Sequence, residues 1–93
     1  MRVTFDPAKD KANLAKHGVS LQDAIRLEWD EMMAWVDERF DYGEARCVGL
    51  APIEDRLYAV VFVDRPHGNP TERRIISLRK ANVREVKHYV QNT

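Results

Sequence analysis

This chain of 93 residues has one cysteine and no long hydrophobic run. Because Cys47 is alone, an internal disulfide is impossible and a zinc site built on cysteines is excluded. No segment approaches the ~20 apolar residues of a membrane span, and the start carries no apolar stretch of signal-peptide length. These absences predict a cytoplasmic protein that does not associate with membranes, in which Cys47 is a small buried side chain of a strand.

The chain also lacks net charge, but its charges are unevenly distributed along the sequence. Residues 1–18 carry four cations and two anions, residues 19–72 carry five cations and twelve anions, and residues 73–93 carry six cations and one anion. If the fold brings the two basic ends together, they form a positive surface that attracts a polyanion. Alternatively, these cations only keep a helix and an edge strand in water. The acidic middle either docks a basic partner or forms a solvated face.

The richest segment lies near the start of the chain. Asp6 is suited to accept from free amides of a first helical turn, and Gly18 can take the left-handed conformation that ends a helix. With proline at its first position, a helix over residues 7–17 is therefore specified at both ends. One stripe of this helix carries Lys9, Asn13, Lys16 and His17. Cations, an amide and an imidazole on one stripe suit a phosphate.

The rest of the chain predicts short strands and two further helices. Residues 2–5, 33–37, 44–50, 57–63 and 73–79 are predicted strands, and 57–63 is apolar enough to be the central one. A second helix is predicted from Ser20, and a third from Asn82. Their predicted core-facing residues are Leu21, Ala24, Ile25 and Trp29 in the second helix, and Val83, Val86 and Val90 in the third.

The order of these elements predicts the fold class. One modest core, which removes roughly 60–65% of the unfolded chain's surface from water, suits a single domain over residues 1–93. The fold is α+β, with a small antiparallel sheet, two N-terminal helices and a C-terminal helix. In the last strand, strict alternation places Arg74 and Arg79 on opposite faces, so both reach one phosphate only if a bulge or twist intervenes.

Three segments in this order resemble the BrnT family of bacterial toxins, small ribonucleases similar in fold to RelE. The matching residues are Asp6, Lys9, Asn13 and 16–19 with Ala24, then 42–44 with Arg46, then the basic strand 73–81 with its Ile-Ile-Ser centre. Leu21 and Cys47 depart from the family, which leads us to expect aromatic residues there. The resemblance implies a RelE-like fold and a toxin that cleaves mRNA as an endoribonuclease, inhibits translation and needs no cofactor.

RNA cleavage defines which side chains the site needs. The 2′-hydroxyl of RNA is the nucleophile, so the protein must deprotonate it, protonate the leaving 5′-oxygen and stabilise charge on the phosphate, and no metal is required. With the resemblance, this chemistry predicts His17, Glu44 and Arg79 as catalytic residues. The predicted RNA- and phosphate-binding residues are Lys9, Asn13, Lys16, Arg46, Arg74 and Lys80. Tyr42 and Trp35 offer rings on which a base can stack.

Each of these assignments has a structural alternative. His17 can bond a carbonyl of the last helical turn, Glu44 and Arg46 can neutralise each other, and Arg79 can pair with an acid from the middle segment. The functional prediction requires that the first helix and the last strand converge, so that Lys16, His17 and Arg79 line one hollow.

The resemblance also implies partners. They are a BrnA-like ribbon-helix-helix antitoxin, an RNA substrate and, only through the antitoxin, operator DNA, in a homodimer or a heterotetramer with the antitoxin. The alternative function is a non-catalytic module of the same fold that binds nucleic acid or antitoxin. A third interpretation is a purely structural interaction domain.

Overall fold

The computed structural model describes residues 1–38 and 43–93. In chain order its elements are β1 (Arg2–Phe5), α1 (Pro7–His17), two short 3₁₀ helices (Leu21–Arg26 and Trp29–Glu31), β2 (Met33–Asp37), β3 (Arg46–Ile53), β4 (Arg56–Arg65), β5 (Glu72–Lys80) and α2 (Val83–Gln91). The predicted bounds of β1, α1 and β2 are confirmed. β3 begins two residues later than predicted and runs three residues further. Tyr42, predicted in a turn and as a stacking ring, lies outside the described residues.

The five strands form one mixed sheet in the order β1-β5-β4-β3-β2. From β2 to β5 the chain is an antiparallel meander with β4 at its centre, as predicted. The first strand instead pairs in parallel with β5, with Arg2 opposite Glu72 and Phe5 opposite Ile75. The prediction of a purely antiparallel sheet is therefore wrong at β1. Side-chain alternation shows that a segment is extended, but it does not show which strand it joins.

The main core lies between one sheet face and the segment that follows α1. Val60, Phe62, Ile75 and Leu78 of the sheet pack in this core, and we call their side of the sheet the core face. The segment after α1 covers it with Leu21, Ala24 and Leu27. The ring of Trp29 also meets Phe62 edge-on, with centroids 5.3 Å apart. The indole N–H of Trp29 donates to the carbonyl of Ala24 at 3.0 Å.

The predicted second helix is instead a pair of 3₁₀ helices. The buried side chains Leu21, Ala24 and Leu27 recur every third residue, which matches the three residues per turn of a 3₁₀ helix. Ile25 would face the core in an α-helix, but here it is exposed. The prediction of an apolar face is therefore confirmed for Leu21 and Ala24, but the predicted helical period is wrong.

The C-terminal helix packs on the other face of the sheet, at the end where Leu50 and Ala59 lie side by side. A smaller cluster of buried residues, Leu50, Ala59 and Ala81, lies there against Tyr89 of α2. The hydroxyl of Tyr89 also donates to the carbonyl of Glu31 at 2.7 Å. The predicted orientation of α2 is wrong, because Val83 and Val90 are 73% and 65% exposed. Helical segments therefore lie on both faces of the sheet.

A β-bulge interrupts the pairing of β5 with β4. Ser77 lies opposite Val61, and the next pair joins Ile75 to Phe62, so that Ile76 is an extra residue in β5. A bulge of this kind shifts the alternation of the strand that contains it. Ile75 and Phe62 accordingly share the core face.

The bulge decides which arginines share a surface. Arg79 lies opposite Ala59 and Arg74 lies opposite Val63, two β4 residues that are four apart and so point to the same side. Both arginines therefore lie on the face opposite the core, which we call the arginine face. The strict alternation that would separate them is broken at Ile76.

Candidate functional site

The first helix has the ends that its sequence predicts. The carboxylate of Asp6 accepts from the N–H of Ala8 at 2.9 Å, and Gly18 has φ 70° while its N–H donates to the carbonyl of Leu14 at 2.8 Å. A second carboxylate fixes the following turn, because Asp10 accepts from both the Ser20 hydroxyl and the backbone N–H of Leu21. The last helical turn, which carries Lys16 and His17, is thus held in place from both sides.

Asn13 joins α1 to the edge of β5. Its Nδ2 donates to the carbonyl oxygens of Leu78 at 2.7 Å and Val19 at 2.8 Å, and its Oδ1 accepts from the N–H of Leu78 at 3.2 Å. Because β1 stops at Phe5, opposite Ile75, the amide continues the hydrogen bonding of that sheet edge beyond the strand. Both amide hydrogens of this buried side chain are occupied, so Asn13 positions the helix and has no donor left for a phosphate.

The basic stripe of α1 lines a shallow hollow of about 200 Å³ beside β5. Its walls are formed by Lys9, Ala12, Asn13, Lys16, His17, Ile76 and Ser77. The structure therefore brings Lys9, Lys16 and His17 together with a hydroxyl of the last strand. Arg79 does not line this hollow, so the expected convergence of Lys16, His17 and Arg79 is met only for the first two.

Ser77 connects this hollow with the arginine face. It lies opposite Val61, whose neighbours Val60 and Phe62 face the core. Alternation along β4 then places Val61, and with it Ser77, on the arginine face. Ser77 also lies between Arg74 and Arg79 in the strand. The hollow at α1 consequently opens beside the surface that carries the arginines.

Arg46 belongs to the same surface. Its neighbour Cys47 lies opposite Phe62 and packs against the main core, so alternation turns Arg46 to the arginine face. Burial raises the pKa of the Cys47 thiol. The side chain lies in a strand as predicted, but it is partly rather than fully buried. Lys80 is exposed at the end of β5.

Glu44 lies just before β3 and is held by an arginine that the sequence did not single out. Arg65 donates from Nε to Oε2 of Glu44 at 3.0 Å and also donates to Oε1 from Nη2. This hydrogen bonding lowers the pKa of Glu44, and the positive charges of Arg65, Arg46 and Arg74 lower it further. Glu44 is therefore a carboxylate at neutral pH, which suits a hydrogen-bond or proton acceptor. Alternation from Val61 could have placed Arg65 on this face.

Arg79 is bound to the C-terminal helix. Its Nη1 and Nη2 each lie 2.8 Å from an oxygen of Glu85. The same carboxylate accepts from the N–H of Asn82 at 2.9 Å in the capping box of α2. The structural alternative for Arg79, an ion pair with an acidic side chain, is thus present. The acidic partner comes from α2 and not from the acidic middle of the chain.

The Arg79–Glu85 pair predicts a loss of stability in acid. The hydrogen bond from Arg79 lowers the pKa of Glu85 in the folded chain, so its stabilisation is present above the ordinary carboxyl pKa and is lost as the pH falls through the folded value. In urea titrations between pH 7 and pH 3, Glu85→Gln is expected to be less stable than the unaltered chain at pH 7, with a gap that closes in acid. Glu28→Gln, at an exposed position, is the control; a gap that stays constant would contradict the prediction.

Arg73 belongs to the core face and has a structural role. It donates to both carboxylate oxygens of Asp64, at 2.7 and 2.8 Å. Its guanidinium carbon lies 4.5 Å from the ring centroid of Trp29 and 4.7 Å from that of Phe62. Nη1 of Arg74, on the arginine face, lies 4.0 Å from Oε2 of Glu72. Of two adjacent arginines, only Arg74 is placed to meet a ligand on that face.

In residues 1–38 and 43–93, no helix has both the length and the apolar character that crossing a membrane requires. Over the same ranges, histidine, cysteine and acidic side chains form no group of three that could hold a metal ion.

Comparison with known proteins identifies the family. No sequence among curated proteins matches the chain. Residues 5–85 match the family described as the ribonuclease toxin BrnT of type II toxin–antitoxin systems. This match spans α1, the whole of the β2–β5 meander and the start of α2, and so includes every residue of the candidate site. The chain therefore belongs to the BrnT family of ribonuclease toxins, whose partners are an antitoxin and RNA.

Proposed function

We propose that this chain is a metal-independent endoribonuclease that cleaves mRNA and thereby inhibits translation. The observation that carries the proposal is the gathering of cations from distant parts of the sequence around one surface. Lys9 and Lys16 border it from α1, Arg46 comes from β3, and Arg74 comes from β5. A surface of this kind attracts the phosphates of a single strand.

The reacting phosphate is proposed to bind between the hollow at α1 and Arg74. His17 lies in that hollow and is the side chain best suited to move a proton to or from an oxygen of the reacting group. The cations around it stabilise the charge that develops on the phosphate. Ser77 offers a hydroxyl that can donate to a phosphate oxygen.

Glu44 is proposed to act on a neighbouring nucleotide. Its partner Arg65 lies four residues along β4 from Val61, which faces Ser77. At ~3.3 Å per residue these two backbone positions of β4 are about 13 Å apart, which suits Glu44 and His17 to different nucleotides of one strand. The carboxylate therefore belongs to a second part of the RNA path.

The test of the activity is a cleavage assay with total RNA. The purified chain, free of antitoxin and with EDTA present, is expected to cut RNA into discrete fragments. A preparation that leaves the RNA intact would contradict the proposal and favour the alternative, a non-catalytic module that binds nucleic acid or antitoxin. The ion pairs that already occupy Glu44 and Arg79 support that alternative.

Arg74 provides a separate prediction about binding. Arg74→Ala is expected to reduce the slope of log affinity against log salt by about 0.7 for a single-stranded probe, since one phosphate contact is lost. The measurement is fluorescence anisotropy with an RNA whose 2′-hydroxyls are methylated, so that it cannot be cut. Arg84→Ala, which removes an exposed cation from α2, is expected to leave the slope unchanged. Equal slopes for both variants would remove Arg74 from the site.

The family's antitoxin is proposed to be a BrnA-like ribbon-helix-helix protein. The complex then binds operator DNA only through the antitoxin, as a heterotetramer, whereas the toxin alone is a homodimer in the cytoplasm. A RelE-like fold is part of the same proposal, and the antiparallel meander with helical segments on both faces supports it. Co-expression of the toxin with a neighbouring ribbon-helix-helix gene tests these points through rescue of growth and the mass of the complex.

A further inference from the structure

A second hollow, of about 450 Å³, opens where β3 begins and β4 ends. It is lined by Gly43, Glu44, Ala45, Asp64, Arg65, Pro66 and His67. Its volume lies within the range of about 300–1,000 Å³ that is usual for small-molecule sites. The proton transfer proposed at His17 makes no use of it.

The walls of this hollow include flat groups on which a ring can stack. His67 presents an exposed imidazole, and Arg65 presents a planar guanidinium. The guanidinium is fixed in one orientation because Nε and Nη2 both bond to Glu44. Unpaired RNA bases are commonly bound on histidine rings and guanidinium planes.

Two carboxylates of the hollow are hydrogen-bond acceptors. Glu44 and Asp64 are each held by an arginine, Arg65 and Arg73 respectively. A carboxylate oxygen that accepts one hydrogen bond still has a second lone pair. Acceptors favour a base edge that offers donors, and guanine presents two adjacent ones, N1–H and the N2 amino group. Uracil presents only N3–H.

Position links the hollow to the proposed RNA path. Arg65 belongs to both the hollow and the arginine face, and the charges of Arg46 and Arg74 act on Glu44. Resting on the proposed function, we propose that this hollow is a nucleobase subsite that holds a guanine of the bound RNA near the reacting nucleotide. His67 stacks on the base, and the two carboxylate oxygens of Glu44, which lies beside Arg65 on the arginine face, receive its N1–H and N2–H hydrogens. The subsite thereby sets a sequence preference for the cleavage.

Nucleotide binding tests the subsite without any need for cleavage. The probes are guanosine monophosphate, uridine monophosphate and ribose 5-phosphate, each titrated into the chain by NMR. Guanosine monophosphate is expected to bind more tightly than the other two. His67→Ala is expected to weaken the binding of guanosine monophosphate about tenfold, the effect of one lost stacking contact. The affinity for ribose 5-phosphate should stay unchanged. The control, His88→Ala, alters an exposed histidine on α2.

Equal affinities for the three probes, or a guanosine affinity that His67→Ala leaves intact, would overturn the subsite. Neither outcome bears on whether the chain cuts RNA, so failure of the subsite and failure of the proposed activity are distinguishable. Where the chain is active, mapping its cut sites adds a second readout. His67→Ala is expected to relax the base preference at a fixed distance from the cut while cleavage itself continues, and unchanged cut sites would count against the subsite.

Discussion

Asn13→Ala is expected to lower the free energy of unfolding by about 3 kcal/mol, because three backbone groups lose their hydrogen-bond partner. These are the N–H and carbonyl of Leu78 and the carbonyl of Val19. For a domain of this size the melting temperature should fall by roughly 15 °C. Thermal and urea denaturation followed by circular dichroism measure the change.

Two variants make the Asn13 result specific. Asn69→Ala removes an exposed amide from a loop and should leave stability nearly unchanged. Asn13→Asp keeps the shape but points an anionic oxygen at two carbonyls, so it should be less stable than Asn13→Ala at neutral pH. Because burial against carbonyls raises the pKa of such an aspartate, the variant should regain stability as the pH falls. A melting temperature of Asn13→Ala within a few degrees of the unaltered chain would contradict the role assigned to this amide.

His17→Ala is expected to reduce the rate of RNA cleavage by at least about 100-fold, the usual contribution of a side chain that transfers a proton in the transition state. The fold should survive, because α1 is held by Asn13 and Asp10 rather than by the imidazole. Single-turnover cleavage of one defined RNA measures the rate, and circular dichroism checks the fold.

His88→Ala is the matched control for His17→Ala, since it removes the other helical histidine, which lies on α2 beside Trp35 and not in the hollow at α1. It should cleave at the rate of the unaltered chain. If His17→Ala also keeps the full rate, the chemistry does not occur at α1, and the arginine face near Glu44 becomes the place to look for the acid and base.

The first helix shows what local sequence can predict. Its bounds depend on Asp6, on a proline at its first position and on Gly18, and all three act on backbone groups within a few residues. These caps therefore form without contributions from the rest of the fold. The stripe of polar and basic side chains predicted on this helix also lines one hollow.

Features that depend on distant partners were not predictable in this way. Tertiary packing fixes the parallel pairing of β1 and the extra residue at Ile76. It also fixes the burial of every third residue in the segment after α1, at Leu21, Ala24 and Leu27. The same holds at the candidate site. The sequence singled out Arg46, Arg74 and Arg79, but it did not predict that they share one face. It also did not predict the carboxylate that binds Arg79, because Glu85 reaches it only once α2 lies on the sheet.

The bulge in β5 reverses which residues of the strand, odd-numbered or even-numbered, face the core. Before it, odd-numbered Ile75 faces the core, whereas after it even-numbered Leu78 does. Which side chains of the strand point to the arginine face therefore depends on the number of residues between its two ends. In a relative that lacks the extra residue, an arginine equivalent to Arg79 would turn toward the interior, so a single deletion there would redistribute surface charge without changing any side chain.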